Sequence, residues 1–226
     1  MKWSLDRGFF NLTAYFTEYK DLQLSVALPS TGAAGFDFFT GNAGEARAYG
    51  LESDALYRLT ENFVVRGSLA FLNGKFTDYP SGPCPTGVAP DGEAPGSCTY
   101  NGVKLPFAPR WSGSVTGEYD QNLTSNLTLR AGTTVSFRSS ARMESGRDPG
   151  AIQGGYAKVD VRLGIGDAND RWEIAFLAKN LTDRLTTGFS PPAALANNPF
   201  LGITNDGFAQ TLDPPRTFAV QGMVRF

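Results

Sequence analysis

The chain has 226 residues, a net charge of −2 and no histidine. This charge balance lacks the basic surface of a nucleic-acid-binding protein. The absence of histidine excludes Ser-His-Asp and Cys-His nucleophiles and the common zinc sites. No run of eighteen apolar residues occurs, so no transmembrane helix is expected. The length fits one large all-β domain or two small domains.

Apolar and polar residues alternate with a period of two along most of the chain, which predicts β-strands. The strands are predicted at residues 2–5, 10–17, 48–57, 65–71, 111–119, 127–138, 157–165, 172–179 and 217–226. The last of them is about as long as a tilted membrane-spanning strand and ends on Phe226. The pattern therefore predicts about nine similar strands.

Charged residues within these segments keep to one phase, opposite the apolar residues. They are Glu52, Asp54, Arg66, Glu118, Arg130, Arg138, Lys158, Asp160, Arg162, Glu173, Lys179 and Arg225. Aromatic residues end the apolar phase, as in the pairs Tyr49 and Tyr57, and Trp111 and Tyr119. A charge-free face with aromatic borders is typical of a strand whose apolar side faces lipid.

The connections between the strands alternate in length. Short turns are predicted at residues 6–8, 58–62, 120–126 and 166–171, and long connections at 21–44, 75–109, 140–154 and 183–215. This alternation is typical of an up-and-down outer-membrane β-barrel, with short turns on the periplasmic side and long loops outside. Residues 32–44 and 82–96 are rich in Gly, Pro and Ser and are predicted to be mobile surface loops. Asn180 and Asp183 are expected to support the backbone where a strand ends.

The two cysteines, Cys84 and Cys98, lie in one Pro/Gly-rich connection. An even pair in a loop suggests a disulfide and an oxidising compartment. Closing a loop of about fifteen residues would contribute roughly 3 kcal/mol in the chain-entropy model. Two free thiols in a flexible loop are the alternative.

Three groups of residues are candidates for binding. Glu52 and Asp54 are neighbouring carboxylates that could serve acid/base chemistry or calcium, although pairing with a basic residue such as Arg66 is favoured. Basic residues on two neighbouring strands could attract an anionic ligand, although salt bridges with other interior residues are the default interpretation; they are Arg130, Arg138, Lys158 and Arg162. Loop aromatics could stack on a sugar or chelate ring or pack loop against loop; they are Phe36, Phe38, Phe39, Tyr79, Tyr100 and Phe200.

Four ordered motifs give the chain its family resemblance. They are Asn42-Ala-Gly-Glu-Ala-Arg-Ala-Tyr-Gly-Leu-Glu52, Leu105-Pro-Phe-Ala-Pro-Arg-Trp111, Lys179-Asn-Leu-Thr-Asp183, and Pro215-Arg-Thr-Phe218 running to Phe226. In this order, with the alternation between them, the chain resembles the C-terminal half of a TonB-dependent outer-membrane receptor. The resemblance covers most of the chain and implies a transmembrane antiparallel barrel of 22 strands, of which residues 1–226 would be the C-terminal portion.

The resemblance also implies active uptake of a scarce, bulky ligand such as an iron-siderophore, cobalamin or an oligosaccharide. The energy would come from the TonB complex, acting through a region upstream of this chain. The family's plug domain has no candidate here, and residues 1–7 lack the apolar centre of a signal peptide. We therefore expect the natural protein to extend upstream. Phe226, Val224 and Phe218 match the signal that the barrel assembly machinery reads, although Phe226 could also be an ordinary aromatic of the membrane border. Glu52, Asp54 and the basic residues above could contact a plug.

The leading hypothesis is a transport protein of the Gram-negative outer membrane, surrounded by lipid and binding a small molecule. No enzymatic activity, cofactor or metal is expected. A passive porin-type channel of the same architecture is the first alternative. The second alternative is a soluble β-sandwich binding module, which would bury the apolar face in a shared core.

Overall fold

The computed structural model describes residues 1–29, 36–42, 44–85, 88–190 and 207–226. Nine strands in the described part form one antiparallel sheet, in chain order from first to last. The strands are β1 (Lys2–Leu5), β2 (Gly8–Tyr19), β3 (Glu45–Arg58), β4 (Phe63–Asp78), β5 (Trp111–Asn122), β6 (Leu127–Arg138), β7 (Tyr156–Asp167), β8 (Trp172–Lys179) and β9 (Thr217–Val224). This architecture confirms the predicted all-β meander of about nine strands. Within the described residues β1 and β9 stand at the two ends of the sheet and are not paired with each other, so the barrel is incomplete.

The central strands extend further beyond the long-loop edge than the sequence pattern predicted. β3 begins at Glu45 and β4 continues to Asp78, well past the predicted ends of these strands. β3 and β4 remain paired along this extension, where Arg47 lies opposite Lys75. In this extension the buried apolar residues, Ala46, Ala48 and Phe76, lie on the phase that carries the charges nearer the middle of the strands, so the pattern that predicted the strands changes face there.

The long connections contain paired strands of their own. Gln23–Pro29 pairs with Phe36–Asn42, and Gly82–Pro83 pairs with Ser97–Cys98. Residues 36–42, which were predicted to belong to a surface loop, form a paired strand within it. The reason is local, because Leu24, Val26 and Leu28 repeat the strand period just before the Gly-rich stretch. Two further short pairs join Ala141–Arg142 to Ile152–Gln153, and Thr187–Phe189 to Thr211–Leu212.

Helical structure is scarce in the described part of the chain, where a 3₁₀ turn at Pro149–Ala151 is the one such segment. No helix among the described residues has the length and apolar character needed to cross a membrane.

The apolar face of the sheet is exposed. Leu51, Val115 and Ile174 lie near the middle of their strands and have 48%, 51% and 55% of their surface accessible. A β-sandwich would bury these side chains against a second sheet of similar size. The other sheets in the described part of the chain have two strands each, so the β-sandwich alternative is wrong.

Aromatic rings border this apolar face at both edges. At the short-turn edge the ring centroids of Trp3 and Phe10 are 5.3 Å apart, and those of Phe63 and Tyr119 are 6.5 Å apart. At the long-loop edge Phe71 contacts Trp111 with centroids 4.8 Å apart. The predicted aromatic borders therefore exist as contacts between neighbouring strands.

Asn180 and Asp183 end β8, as their positions in the sequence predicted. Both adopt left-handed backbone conformations, with φ of 52° and 51°, which Asn and Asp tolerate better than most residues. Asn180 Oδ1 accepts a hydrogen bond from the backbone amide of Arg184 at 3.1 Å. The backbone amide of Asn180 donates to Asp160 Oδ1 at 2.8 Å. Asp183 Oδ1 accepts from the backbone amide of Arg216 at 3.0 Å, which connects this turn to the start of β9.

Candidate functional site

The polar face of the sheet forms one side of a cavity of about 670 Å³. Strands β3 to β6 supply its floor with residues of the polar phase. Phe107 and Pro109, at the end of the long connection between β4 and β5, supply part of its wall. The floor residues that matter for binding are Glu52, Asp54, Ser68, Ser114, Ser136 and Arg138. This cavity is the candidate functional site.

Short hydroxyl side chains cover the middle of the floor. The register places Ser114 opposite both Ser68 and Ser136, and the hydroxyls of Ser68 and Ser114 are hydrogen-bonded at 3.0 Å. Thr116 and Thr134 form a similar pair at 2.9 Å on the short-turn side. Each hydroxyl retains further hydrogen-bonding capacity, since it offers one donor and two acceptor positions. The small side chains leave the cavity its volume.

Two carboxylates lie at one side of the cavity. Asp54 Oδ2 accepts a hydrogen bond from the side-chain amide of Asn11 at 2.9 Å. The favoured pairing of these carboxylates with Arg66 is wrong, because Arg66 lies opposite Leu56 in the register and forms an ion pair with Glu118 at 2.9 Å. In the described part of the chain no basic nitrogen lies within 4.0 Å of the Glu52 or Asp54 carboxylate.

The four basic candidates separate into two groups at opposite ends of their strands. Near the short turns, Arg162 lies 2.6 Å and Arg130 3.8 Å from the Glu173 carboxylate, and Arg130 also contacts Asp170. These two arginines therefore form salt bridges, which was the default interpretation of the sequence.

Arg138 and Lys158 lie near the long loops and flank Tyr156. The Arg138 guanidinium carbon is 5.8 Å and the Lys158 ammonium 5.4 Å from the centre of the Tyr156 ring. Lys158 forms an ion pair with Asp213 at 3.0 Å. The Nε atom of Arg138 is buried without a hydrogen-bond partner, although Arg138 lines the cavity. Arg138 is thus the basic side chain of this group that faces the cavity, which Lys158 does not line.

The loop between β4 and β5 has its own apolar core. Phe76, Tyr79, Cys98 and Tyr100 are buried there with Ala46. The Tyr100 hydroxyl donates a hydrogen bond to the carbonyl of Pro83 at 2.7 Å. This packing favours the loop-against-loop interpretation of Tyr79 and Tyr100. The structure joins Cys84 and Cys98 in the disulfide that their positions suggested.

The other candidate aromatics lie wholly or partly outside the described residues. Phe36, Phe38 and Phe39 lie on a described strand, but their side chains are outside the described part, and Phe200 lies outside the described residues.

The loop between β6 and β7 binds to the disulfide loop. Arg147 Nη1 lies 3.1 Å from the Asp91 carboxylate and also donates to the carbonyl of Thr99. The backbone amide of Phe107 donates to the carbonyl of Arg142 at 2.8 Å. The two loops therefore form one body above the cavity.

Burial raises the pKa of the Glu144 carboxyl within this body. Glu144 has 6% of its surface exposed, and it lies close to Arg142, Asp148 and Tyr100. The largest cause of the raised pKa is desolvation, which hydrogen bonds from the backbone amides of Asp148 and Gly146 and the charge of Arg142 only partly offset. The folded loop therefore binds the Glu144 proton more tightly than a solvent-exposed carboxyl would.

We expect the loop of residues 140–154 to open more readily as the pH rises above about 4.5, the ordinary pKa of this carboxyl. The folded loop binds the Glu144 proton more tightly than the open loop, so deprotonation favours opening, by at most about tenfold per pH unit. Hydrogen exchange of the loop amides, corrected for intrinsic rates, measures the effect between pH 4 and 8. Glu144→Gln should flatten the profile, and the exposed Glu93→Gln should not. An unchanged profile in Glu144→Gln would contradict the assignment.

Sequence reasoning missed the serines of the cavity floor and two aromatic residues of its wall, Phe107 and Tyr156. Phe107 has 44% of its surface exposed, lines the cavity and lies 6.2 Å from the Phe189 ring. Its φ of 57° is unusual for a bulky residue. The Pro residues on both sides of Phe107 were the available signal. Tyr156, the other missed aromatic residue, starts β7 and gave no signal beyond the strand pattern.

The residues of the expected assembly signal lie on the apolar side of β9 or just beyond its end. Phe218, Val224 and Phe226 are all exposed. Phe218 stacks on Phe176 of β8, with ring centroids 5.9 Å apart. No group of three or more Cys, Asp or Glu residues in the described part is arranged to hold a metal ion.

The sequence matches the family model of the TonB dependent receptor-like β-barrel over residues 1–181. The chain belongs to this family, which confirms the resemblance seen in its motifs. No curated protein matches the sequence significantly.

Solved structures share the fold. The ferric yersiniabactin uptake receptor FyuA from Yersinia pestis has a TM-score of 0.72 and 19% identity, with 100% of this chain and 28% of that chain covered. The siderophore receptor PiuA from Acinetobacter baumannii has a TM-score of 0.62 and 18% identity, with coverages of 98% and 26%. The copper transporter OprC has a TM-score of 0.66 and 16% identity, with coverages of 98% and 30%. This chain therefore spans less than a third of the length of the proteins it matches.

Proposed function

We propose that residues 1–226 are the C-terminal barrel portion of an outer-membrane, TonB-dependent receptor that takes up a scarce, bulky ligand. The observation that carries the membrane assignment is the exposed apolar face with its two aromatic borders. Leaving such a large continuous apolar face in water is unfavourable. Lipid covers it without a second sheet, and the polar face then lines the barrel interior.

The proposed receptor has parts beyond residues 1–226, namely further barrel strands, a plug and a region that contacts TonB. The unpaired edges of β1 and β9 in the described part are incompatible with lipid, so additional strands from the same polypeptide close the barrel. A plug and the TonB-contacting region belong to upstream sequence. Phe218, Val224 and Phe226 serve as the signal for the barrel assembly machinery.

The ligand classes that remain in the proposal are an iron-siderophore, cobalamin and an oligosaccharide. The names of two structural neighbours, the ferric yersiniabactin uptake receptor and the siderophore receptor PiuA, support small-molecule uptake as the role. The cavity of about 670 Å³ has the size of a small-molecule site.

Uptake by cells that produce the complete gene product tests the proposal. We expect accumulation of a labelled ferric chelate, cobalamin or oligosaccharide that is lost in an otherwise identical strain without TonB. Accumulation that is the same in both strains would identify a passive channel instead. A product that fractionates as a monomer in buffer without detergent would contradict the membrane assignment itself.

A further inference from the structure

We infer that a row of basic side chains at the long-loop border of the lipid-facing surface binds the phosphate groups of a multiply phosphorylated lipid in the outer leaflet. This inference rests on the membrane assignment in the proposed function. It concerns the outer surface of the sheet, away from the cavity and from the interior that a plug would occupy. The observation behind it is the register, which places Arg47 opposite Lys75 and Lys75 opposite Lys104. These three residues are called the basic row.

The basic row faces away from the apolar core of the disulfide loop. Ala46 and Phe76 are chain neighbours of Arg47 and Lys75, and both are buried in that core. Both chain neighbours of Lys104 pack against the same core. Successive side chains of an extended chain point to opposite faces, so the three basic side chains point outward. All three are exposed, as this placement requires.

The basic row lies just beyond the aromatic border of the lipid-facing surface. Arg47 comes two residues from Tyr49 on the same face of β3, and its guanidinium carbon is 5.5 Å from the centre of the Phe16 ring on β2. The Tyr49 hydroxyl accepts a hydrogen bond from the side-chain amide of Asn73 at 2.6 Å. At about 3.3 Å per residue and a tilt near 40°, the basic row stands roughly 5 Å further out than Tyr49. Border aromatics lie at the level of the lipid headgroups, so the basic row reaches that level too.

Arg110 adds a fourth cation at the same border. Its guanidinium carbon is 5.5 Å from the centre of the Phe71 ring, which contacts Trp111 on the lipid-facing surface. Guanidinium and ammonium groups both form strong, charge-assisted hydrogen bonds with phosphate. Neighbouring strands are about 4.8 Å apart, so the basic row spans roughly 10 Å across three of them. This width lets the four cations contact more than one phosphate group at a time.

The protein itself neutralises little of this charge. Glu18 forms an ion pair with Arg47 at 3.0 Å. In the described part of the chain no carboxylate lies within 4.0 Å of a side-chain nitrogen of Lys75, Lys104 or Arg110. Like charges directly opposite each other on neighbouring strands are destabilising. Because the buried core fixes the register, the fold retains this repulsion, which bound phosphate would offset.

The acidic residues that come next in the register stand further from the membrane. Glu45 lies opposite Asp78 at the loop end of β3 and β4. Neither carboxylate is within 4.0 Å of a basic nitrogen among the described residues. A phosphate group that approaches from the lipid side therefore meets the basic row first.

The opposite border differs in its chemistry. Beyond Tyr57 and Tyr119, the lipid-facing phase of β3 and β5 continues with Leu59 and Leu123, which have 49% and 51% of their surface exposed. The positive charge on these strands thus stands at the long-loop border, which the proposed orientation places in the outer leaflet. An anionic lipid surface attracts basic residues at this level. The sidedness favours a phosphorylated lipid of the outer leaflet as the occupant.

The test removes the two lysines of the basic row that have no ion pair. Lys75→Gln/Lys104→Gln should weaken binding of a bisphosphorylated glycolipid about thirtyfold, because each basic residue near an anionic lipid surface contributes about fivefold. Lys2→Gln/Lys179→Gln is the matched control, since it removes the same charge from two exposed lysines on the polar face of the sheet. The control should leave the affinity unchanged.

The probes are a bisphosphorylated diglucosamine lipid, the same lipid after enzymatic dephosphorylation, and phosphatidylglycerol. Each is titrated against the complete gene product in a non-ionic detergent and followed by native mass spectrometry, with inorganic phosphate as competitor. Resistance of the folded barrel to SDS without heating shows that each variant is folded. Should the double variant fail this check, Lys104→Gln alone replaces it, with an expected loss of about fivefold, because Lys104 lies outside the nine-strand sheet.

A loss in the lysine variant that the control lacks, together with weak binding of the dephosphorylated lipid, supports the inference. Equal affinity of the lysine variant and the unmodified protein overturns it, as does equally tight binding of the dephosphorylated lipid or of phosphatidylglycerol. Displacement of the lipid by an equimolar amount of inorganic phosphate would identify a site for free phosphate and also overturn it.

The outcomes for this inference and for the proposed function are separable. TonB-dependent uptake by a protein whose lipid binding ignores the basic row overturns the inference and leaves the proposed function intact. Lipid binding through the basic row by a product that shows no TonB-dependent uptake supports the inference and refutes the proposed uptake.

Discussion

Replacing Val115 by arginine in the complete barrel that contains this chain is expected to destabilise the folded protein in lipid by about 2–4 kcal/mol, the cost of a basic residue at the bilayer midplane. Val115 lies in the middle of β5, on the apolar face, with 51% of its surface exposed. In water an exposed valine at a strand centre would accept arginine at little cost. The size of the loss therefore reports what covers this face. The free energy of unfolding in lipid vesicles, from urea titration, is the measurement.

Ser114→Arg is the matched control for Val115→Arg. Ser114 precedes Val115 in the same strand, and its side chain lies on the cavity side of the sheet. Arginine there reaches water and the acidic residues of the cavity, so we expect a loss below about 1 kcal/mol. Equal losses for the two variants would contradict the assignment of the apolar face to lipid.

Truncating Phe76 to alanine is expected to open the disulfide loop. The Phe76 side chain has 1% of its surface exposed, and its ring centroid lies 5.4 Å from Tyr79 and 6.0 Å from Tyr100. Removing a buried phenylalanine ring costs about 3–5 kcal/mol, through lost burial and the cavity left behind. Hydrogen exchange should detect this as a loss of protection of roughly 10²- to several 10³-fold at loop amides such as that of Val103.

Phe189→Ala provides the comparison, because Phe189 is also a loop aromatic but has 47% of its surface exposed. Its loss should change exchange in the disulfide loop by less than about fivefold. The disulfide between Cys84 and Cys98 remains in the Phe76 variant and limits how far the loop unfolds. Unchanged protection in Phe76→Ala would show that the loop draws its order from elsewhere.

The sheet could be predicted from the sequence because apolar and polar residues alternate with the period of a β-strand, which places each kind on its own face of the sheet. β5 illustrates this, since Trp111, Val115 and Tyr119 share one phase and Ser112, Ser114 and Thr116 share the other. A one-residue slip in register would exchange the two faces, so the pattern determines the pairing. The alternation of short turns and long loops then gives the meander.

The salt bridges could not be predicted in the same way. Arg66 pairs with Glu118 on β5 and not with the β3 carboxylates, because the choice depends on register and on the reach of long side chains to diagonal neighbours. Arg130 and Arg162 similarly converge on Glu173 from two strands. Sequence spacing along each strand carries no information on these contacts.

The contacts between the β4–β5 loop and the β6–β7 loop could not be predicted from the sequence pattern either. Met143 and Tyr100 each have 1% of their surface exposed, and Arg147 connects their loops. These contacts join segments far apart in the chain and follow no period. The same holds for Phe107, whose position in the cavity wall depends on the left-handed turn between two proline residues.

The aromatic borders set a thickness for the surrounding bilayer. Tyr49 and Tyr57 border β3, and Trp111 and Tyr119 border β5. At about 3.3 Å per residue each pair is separated by roughly 26 Å along the strand, and a tilt near 40° reduces this to about 20 Å across the membrane. Such a short span creates a hydrophobic mismatch with thick bilayers. Lipids with short acyl chains should therefore accommodate this protein with the least distortion, and a thick, sterol-rich membrane would have to thin around it.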